Sequence, residues 1–108
     1  MIDLPQPIAR YVEAANAQDA QRVAASFLPN ATVHDEGRVH RGREEIAAWA
    51  GESAREYGFT IAPRSIDQGA GRCTLRAEVS GNFPGSPAVL AFHFALQADA
   101  IEALEVTA

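Results

Sequence analysis

The sequence predicts a single α+β domain, residues 1–108, in which three N-terminal helices pack on a curved antiparallel sheet. A length of 108 residues suits one compact domain. Apolar residues make up 47% of the chain and charged residues 21%, as in soluble globular proteins. The spacing of the apolar residues changes from 3.6 to 2 near residue 58, which indicates helices first and strands afterwards.

Two predicted helices begin the chain. After Pro5 and Pro7, apolar residues recur at helical spacing and form one buried face, made of Ile8, Tyr11, Val12 and Ala15. Asp19 is well placed to cap a second, short helix, which is predicted to stop at Pro29. The apolar residues of this second helix are Val23, Phe27 and Leu28. The two segments together predict a helical hairpin.

A strand, a turn and a third helix are predicted next. Residues 31–35 have strand character, and residues 37–42 form a turn with a short return strand through Val39. The third helix begins with two acidic residues near the positive end of its dipole and ends at Gly58. Its predicted buried residues are Ile46, Trp49, Ala50 and Tyr57.

The second half of the chain predicts an antiparallel meander. In residues 72–80, polar residues alternate with the apolar residues Cys73, Leu75, Ala77 and Val79. This alternation is typical of a strand with one dry face and one wet or interface face. Residues 59–67 are expected to pair with it through a turn at residues 68–71, and Pro63 requires a bulge or an edge position.

Two further strands complete the predicted sheet. A loop rich in Gly and Pro, residues 81–87, precedes a strongly apolar strand at residues 88–96, and a last strand covers about residues 101–106. Helices covering one face of a curved sheet enclose one interior. We expect the residues in it to include Ile8, Trp49, Leu75, Phe92 and Phe94.

Composition excludes several classes of function. The formal charge of −5 comes from interspersed charges, and the chain lacks the clustered basic residues that nucleic acid binding needs. The single Cys73 can form no intrachain disulfide, and no Cys/His pair has zinc-site spacing. No segment has the pattern of a signal peptide or a membrane span. We therefore expect a cytoplasmic protein with no metal, no nucleic acid partner and no membrane partner.

Three segments carry a resemblance to a known family. Residues 9–19 (ARYVEAANAQD) and 30–35 (NATVHD) resemble the first part of bacterial ketosteroid isomerases and of the SnoaL-like polyketide cyclase group. Residues 40–46 (HRGREEI) resemble the strand, Arg-Gly and helix signature of that group. The resemblance implies the cone-shaped, cystatin-like α+β barrel of the nuclear transport factor 2-like superfamily. That fold hosts isomerases, cyclases, hydrolases, dehydratases and binding modules.

The resemblance implies two catalytic residues. Tyr11 matches the family's oxyanion-hole tyrosine, and Asp35 matches its proton-shuttling aspartate with the same separation along the chain. A carboxylate at the mouth of an apolar cavity can take a proton alpha to a carbonyl while a phenol stabilises the charge on the oxygen, as in ketosteroid isomerase. The sequence departs from the family at Phe92, which stands where a second acid would be, so a substrate other than a steroid is expected.

Each candidate residue also has a structural interpretation. Tyr11 could be a core aromatic residue, and Asp35 could begin the turn that follows it. Strand alternation places His34 on the face opposite Asp35, and it turns His93 outward, toward a possible dimer interface. The remaining predicted pocket residues are Trp49, Phe92 and Phe94 in the wall and His40 at the entrance. The indole N–H of Trp49 needs a hydrogen-bond partner.

The sequence leaves two functions open. One is a cofactor-independent isomerase or cyclase acting on a carbonyl compound, with Asp35 as the base and Tyr11 as the oxyanion donor. The other is a non-catalytic module that binds a small apolar ligand. A hydrolase or dehydratase would need more polar groups in the pocket than the sequence offers. A homodimer formed across the outer sheet face, around Arg76, is expected because the core is small.

Overall fold

The computed structural model describes residues 2–108 and contains three helices and six strands in this range. The helices are α1 (Gln6–Asn16), α2 (Ala20–Ala25) and α3 (Gly42–Tyr57). The strands are β1 (Phe27–Asp35), β2 (Arg38–Arg41), β3 (Thr60–Gly69), β4 (Arg72–Ser80), β5 (Ala88–Gln97) and β6 (Ala100–Thr107). The predicted α+β class is confirmed, although α3 follows the β1–β2 hairpin and is not part of an uninterrupted helical N-terminus.

The six strands form one sheet in the order β2-β1-β6-β5-β4-β3. The neighbouring strands run antiparallel except for β1, which runs parallel to β6, with Val33 opposite Leu104. The prediction of a fully antiparallel sheet is therefore wrong at this pair. Parallel neighbours need a long crossover connection, and here that connection includes α3 and the β3–β5 meander. Local periodicity contains no information about which distant strands become neighbours.

The boundary between α2 and β1 also differs from the prediction. The helix ends at Ala25, and Phe27 and Leu28 belong to β1. Ser26 makes the transition: its hydroxyl donates to the carbonyl of Val23 at 2.6 Å, and its own carbonyl accepts from Ile101 N–H at 3.0 Å. Phe27 pairs with Ile101 of β6 and is fully buried. Sheet pairing here overrides a helical spacing that α2 shares with the start of β1.

Predicted helix ends are confirmed at three places. The carboxylate of Asp19 accepts the N–H of Arg22 at 3.1 Å and caps α2. The first turn of α3 is acidic, and the carboxylate of Glu45 accepts the N–H of Arg41 at 2.8 Å. Gly58 ends α3 with a φ of 54°, a left-handed conformation that glycine adopts without a Cβ penalty.

The edge strand β3 is attached to the end of α1. Its pairing with β4 shifts register between Pro63 and Ser65, which is the bulge that the proline requires. The side chain of Asn16 donates to the carbonyl of Ile61 at 3.0 Å and accepts the N–H of Ile61 at 2.7 Å. This pair of bonds satisfies backbone groups that an edge strand would otherwise leave to solvent.

The core lies between the helices and one face of the sheet. All five residues predicted for the interior are buried, namely Ile8, Trp49, Leu75, Phe92 and Phe94. The alternation predicted for β4 is confirmed, with Cys73, Leu75, Ala77 and Val79 buried. Tyr57 is only half-buried, in contrast to the prediction. Within residues 2–108, no helix combines the length and the apolar character needed to cross a bilayer.

Candidate active site

A cavity of about 430 Å³ opens between the inner face of the sheet, helices α1 and α3, and the loop that precedes β5. A volume of this size suits a small organic molecule. Its wall is mainly apolar and aromatic. The lining residues are Tyr11, Asp35, Glu36, Trp49, Ser53, Tyr57, Phe59, Val79, Phe83, Pro84, Leu90, Phe92 and Val106.

Tyr11 enters the cavity from the buried face of α1. The residue is 2% exposed. Among residues 2–108 its hydroxyl forms no hydrogen bond, and the hydroxyl oxygen is in contact with the cavity and is not sealed inside the protein. The hydroxyl is thus available to a molecule in the cavity. Burial, and secondarily the negative charge of Asp35, raises the pKa of Tyr11 well above that of an ordinary phenol. Tyr11 is therefore a hydrogen-bond donor at neutral pH.

Three phenylalanine rings hold the Tyr11 ring in place. Phe27 and Phe94 meet it edge to face, with ring centroids at 6.0 and 5.6 Å. Phe92 lies at 6.4 Å in a tilted arrangement. Edge-to-face pairs of this kind are favoured by the aromatic quadrupole. They leave Tyr11 little rotational freedom, so the position of its hydroxyl is set by the core.

Asp35 is the last residue of β1, where the strand enters a tight hairpin. The two following residues, Glu36 and Gly37, both have positive φ, 52° and 75°, as two-residue hairpin turns require. The carboxylate of Asp35 does not cap this turn. Its Oδ2 accepts the indole N–H of Trp49 at 3.0 Å. The carboxylate of Asp35 therefore contacts α3 and not the backbone of its own turn.

The hydrogen bond from Trp49 orients the Asp35 carboxylate. Trp49 lies on the buried face of α3 and is 9% exposed, and its N–H finds the partner that a buried indole needs. Within residues 2–108 the other oxygen, Oδ1, has no hydrogen-bond partner and is available to a ligand in the cavity. Tyr11 and Asp35, which are far apart in the sequence, thus line one cavity.

A second polar pair lies beside the first one. The hydroxyl of Tyr57 donates to the carboxylate of Glu36 at 3.4 Å, and the negative charge of Glu36 raises the pKa of Tyr57. Phe83, from the loop before β5, packs edge to face on Tyr57 with centroids 5.9 Å apart. Sequence reasoning missed these three residues as part of the site. Phe83 was detectable, since a large aromatic residue stands in a loop otherwise rich in Gly, Pro and polar residues.

The other residues predicted for the pocket lie at different depths. Phe92 is part of the cavity wall. Phe94 is not in the wall and instead packs against the ring of Tyr11. His40 lines an adjoining polar cleft of about 380 Å³, which shares Asp35 and Trp49 with the cavity. The His40 ring packs against Trp49 with centroids 6.0 Å apart. His40 therefore contacts the outer side of the residue that orients Asp35.

The side chains of the cavity offer acid–base chemistry. Within residues 2–108, no three His, Cys, Asp or Glu side chains come together closely enough to hold a metal ion. The single thiol, Cys73, lies in the core and outside the cavity wall, and burial raises its pKa. The functional groups that face the cavity are carboxylates, phenols and the hydroxyl of Ser53.

Comparison with known families supports the resemblance seen in the sequence. Residues 8–103 match the model of the SnoaL-like domain. No protein with curated function matches the chain. The fold is similar to that of a candidate polyketide cyclase from Sinorhizobium meliloti, with a TM-score of 0.93 and 31% identity over 97% of this chain and 96% of that one.

Two other solved structures share the fold at lower identity. A Catenulispora acidiphila protein with a ketosteroid isomerase-like fold, crystallised with trimethylamine, gives a TM-score of 0.88 and 16% identity over 98% of this chain and 87% of that one. The epoxide hydrolase/cyclase-like enzyme SalBIII, which acts in pyran ring formation in salinomycin, gives 0.81 and 20% identity over 94% and 86%. At these identities the similarity shows the fold alone.

Proposed function

The chain belongs to the SnoaL-like domain family, and we propose that its cavity binds a small carbonyl compound and moves a proton alpha to the carbonyl. Asp35 would act as the base and Tyr11 as the oxyanion donor, without a cofactor. The observation that carries the proposal is the convergence of a free buried phenol and an oriented carboxylate on one apolar cavity.

Tyr11 suits the role of oxyanion donor. Its hydroxyl is free of protein partners among the described residues and is held by a rigid aromatic cluster. The raised pKa keeps the proton on the phenol. Such a donor stabilises a developing enolate by hydrogen bonding and does not transfer its proton to the enolate. Pre-organisation matters because the donor then needs no rearrangement when charge develops.

Asp35 suits the role of base. One of its oxygens is held by Trp49 at 3.0 Å, and the other is available to a ligand in the cavity. Within residues 2–108, no Arg or His forms an ion pair with Asp35. No cation of the described chain therefore competes with a substrate proton for this carboxylate.

Phe92 limits the reaction that the site can catalyse. It lies in the cavity wall 6.4 Å from Tyr11, at the position where the resemblance implies a second acid in ketosteroid isomerases. With a single donor to the oxygen, turnover is expected to be about two to three orders of magnitude below that of a two-donor site. The proposed substrate therefore has an alpha proton that is more acidic than that of a simple ketone.

Hydrogen exchange tests this proposal without knowledge of the natural substrate. A panel of aryl and cyclic ketones and β-dicarbonyl compounds is incubated with the protein in D₂O, and loss of the alpha proton is followed by ¹H NMR. We expect exchange with the wild-type protein, none above background with Asp35→Asn, and a decrease of about 10²-fold or more with Tyr11→Phe.

Asp67→Asn is the matched control, because Asp67 is exposed on β3 and outside the cavity. It removes the same charge and should leave exchange unchanged. Exchange that survives in Asp35→Asn at the wild-type rate would reject Asp35 as the base.

The apolar wall and Phe92 favour one alternative, a binding module without catalysis. The polar groups of the wall, Tyr11 and Asp35 among them, would then anchor the ligand, and the apolar residues would exclude water from it. In this case Asp35→Asn should change ligand affinity while no ketone of the panel exchanges with any variant. The wild-type protein and the same variants therefore distinguish catalysis from binding alone.

We also propose that the chain forms a homodimer through the outer face of the sheet. Thr74, His93 and Glu105 lie side by side there on β4, β5 and β6. The His93 ring contacts the hydroxyls of Thr74 at 3.2 Å and Thr107 at 3.0 Å. This ordered polar row, next to the exposed Arg76, is a surface that a second copy could pair with.

A further inference from the structure

We propose that the ligand of this cavity carries a cationic nitrogen, either a protonated or a quaternary amine, beside an apolar body. The proposal rests on the proposed function in one respect, that the cavity is the ligand site. It does not depend on whether Asp35 abstracts a proton. The charges of the wall, the aromatic rings beside them and the free Tyr11 hydroxyl carry the proposal.

The charged groups of the cavity wall are all acidic. Asp35 and Glu36 are its charged residues, and among the described residues no Arg or His lines it. In the same part of the chain neither carboxylate belongs to an ion pair. The adjoining cleft adds Glu52 and Glu56, and its basic side chains are Arg38 and His40. The potential in this site is therefore negative, and the cation that would complement the carboxylates has to come from the ligand.

Aromatic rings stand directly beside the two carboxylates. Trp49 donates to Asp35, and Tyr57 donates to Glu36. Phe83 lies 5.9 Å from Tyr57 on the same wall. An ammonium group placed between these rings gains from their negative quadrupole faces as well as from the carboxylates, and such arrangements are used to recognise methylated amines. A neutral ligand gains only the apolar contact.

Tyr11 supplies the independent indication that the cavity takes a polar ligand. The Tyr11 side chain is 2% exposed and lines the cavity, and its hydroxyl, which keeps contact with the cavity space, has no hydrogen-bond partner among residues 2–108. A buried polar group of this kind calls for a ligand acceptor. Tyr11 therefore selects an oxygen deep in the cavity, while Glu36 and Tyr57 select a cation near the mouth. A cation beside Glu36 leaves Asp35 free to reach a proton between the two ligand groups.

The wall also excludes a class of ligand. A carboxylate or phosphate group would lie beside Asp35 and Glu36 without a basic partner in the described cavity wall. Placing like charges together in a partly apolar site is unfavourable, and the hydroxyls of the wall do not replace the cationic partner that a desolvated anion needs. Molecules that would place an anionic group inside the cavity are thus poor ligands.

Three probes with one shape and different charges test the proposal. They are trimethyl(2-phenylethyl)ammonium, its neutral carbon isostere (3,3-dimethylbutyl)benzene, and the anion 2,2-dimethyl-4-phenylbutanoate. Binding is followed by the fluorescence of Trp49, which is the single tryptophan of the chain and lines the cavity. The cation is expected to bind at least about 10-fold more tightly than the neutral probe, and its affinity should fall with added salt.

A pair of charge-matched variants assigns the effect to the cavity. Glu36→Gln keeps the shape of the side chain and should reduce the preference for the cation several-fold. Glu102→Gln removes the same charge from an exposed position on β6 outside the cavity, and it should leave the preference unchanged. Equal loss in both variants would mean that only overall charge matters, and it would overturn the proposal.

Failure of this inference and failure of the proposed function give different results. Equal binding of the neutral and cationic probes, or tighter binding of the anion, overturns the cation proposal while ketone exchange is unaffected. Preference for the cation without any ketone exchange supports the cation proposal and rejects the catalytic function. Binding of none of the three probes overturns the cation proposal and the cavity as a ligand site together.

Discussion

Trp49 is the residue on which the orientation of Asp35 depends. Trp49→Phe keeps an aromatic ring in the wall but removes the N–H that holds Oδ2 at 3.0 Å. A carboxylate free to rotate spends less time in a productive geometry, and small misplacements of a catalytic group are costly. We expect kcat for alpha-proton exchange to fall by about one to two orders of magnitude while KM changes little.

The control for Trp49 is the same substitution in an Asp35→Glu background, which moves the carboxylate by one methylene and leaves a base whose residual exchange can be measured. If Trp49 acts through the carboxylate, the two changes are strongly non-additive, and Trp49→Phe has little further effect once the carboxylate is displaced. Circular dichroism checks that the variants fold. An equal decrease of kcat in both backgrounds would contradict a positioning role.

The burial of Tyr11 predicts that the free energy of unfolding decreases at alkaline pH. Its pKa is raised in the folded state, mainly by burial, so the unfolded chain releases the phenol proton first. Stability is then complete below the ordinary phenol pKa of about 10 and decreases by up to about 1.4 kcal/mol per pH unit above it. The chain contains no lysine, so few other groups titrate in this range.

Urea denaturation at pH values of about 8.5 and about 10.5, on either side of the ordinary phenol pKa, checks this prediction. The loss of unfolding free energy between the two pH values should be smaller in Tyr11→Phe than in the wild type. Tyr57→Phe is the comparison: Glu36 also raises the pKa of this more accessible phenol, but solvent screens that pair, so this variant should lose less of the pH dependence than Tyr11→Phe does. A Tyr11→Phe protein with the full wild-type loss would show that Tyr11 ionises freely in the folded state.

At the scale of elements, the site is built where a hairpin, a helix and a loop meet. The β1–β2 hairpin presents Asp35 and Glu36, and α3 crosses it so that Trp49 and Tyr57 reach these carboxylates. Helix α3 is also tied to β1 by the guanidinium of Arg43, which donates to the carbonyl of Phe27 at 2.9 Å. The relative position of the two elements therefore sets the geometry of both polar pairs.

The loop before β5 forms the remaining wall, and Gly81 is the residue that lets it approach α3. A Cβ at this position would lie 2.8 Å from the Tyr57 carbonyl oxygen and 3.0 Å from Cα of Phe59. The N–H of Asn82 also donates to the Tyr57 carbonyl at 2.7 Å. Since both close atoms belong to the backbone, the loop itself would have to move.

Gly81→Ala is therefore expected to shift Phe83 and weaken ligand binding. We expect a loss of about 1–3 kcal/mol in unfolding free energy and a several-fold loss of probe affinity measured by Trp49 fluorescence. Gly69→Ala is the control, because a Cβ there makes an ordinary contact at 3.9 Å. Similar effects of the two substitutions would mean that the close approach at Gly81 is unimportant.

The whole molecule is small for one that contains a cavity of about 430 Å³. Volume given to a ligand is lost from the core of a 108-residue chain, and small domains have little stability to spare. Association of two copies would bury additional surface and offset this loss. The outer face of the sheet is available, because the helices and the cavity occupy the other one.

Light scattering tests the dimer directly. We expect a dimer at micromolar concentration, and a shift toward monomer in Arg76→Glu, which reverses an exposed charge on β4. Arg55→Glu is the control, because it makes the same charge change at an exposed position on α3. A wild-type protein that is monomeric throughout this range would contradict the proposed assembly.

The local elements and much of the core could be predicted from the sequence alone. Helix ends at Asp19 and Gly58 and the alternation of β4 follow from interactions between residues close along the chain, so a single sequence records them. Tyr11 on the apolar stripe of α1 and Asp35 at the end of β1 were also placed correctly on their elements. Their proposed roles, however, came from the family resemblance and not from periodicity.

Which distant groups meet could not be predicted from the sequence and depends on the folded chain. The parallel pairing of β1 with β6, the transfer of Phe27 from helix to strand, and the contacts Trp49–Asp35 and Tyr57–Glu36 all join elements separated in sequence. Side-chain spacing along one element shows which face is buried, but it contains no record of the partner across the interior. The charge and the aromatic lining of the cavity come from residues of several distant elements, so they cannot be read from any one segment of the sequence.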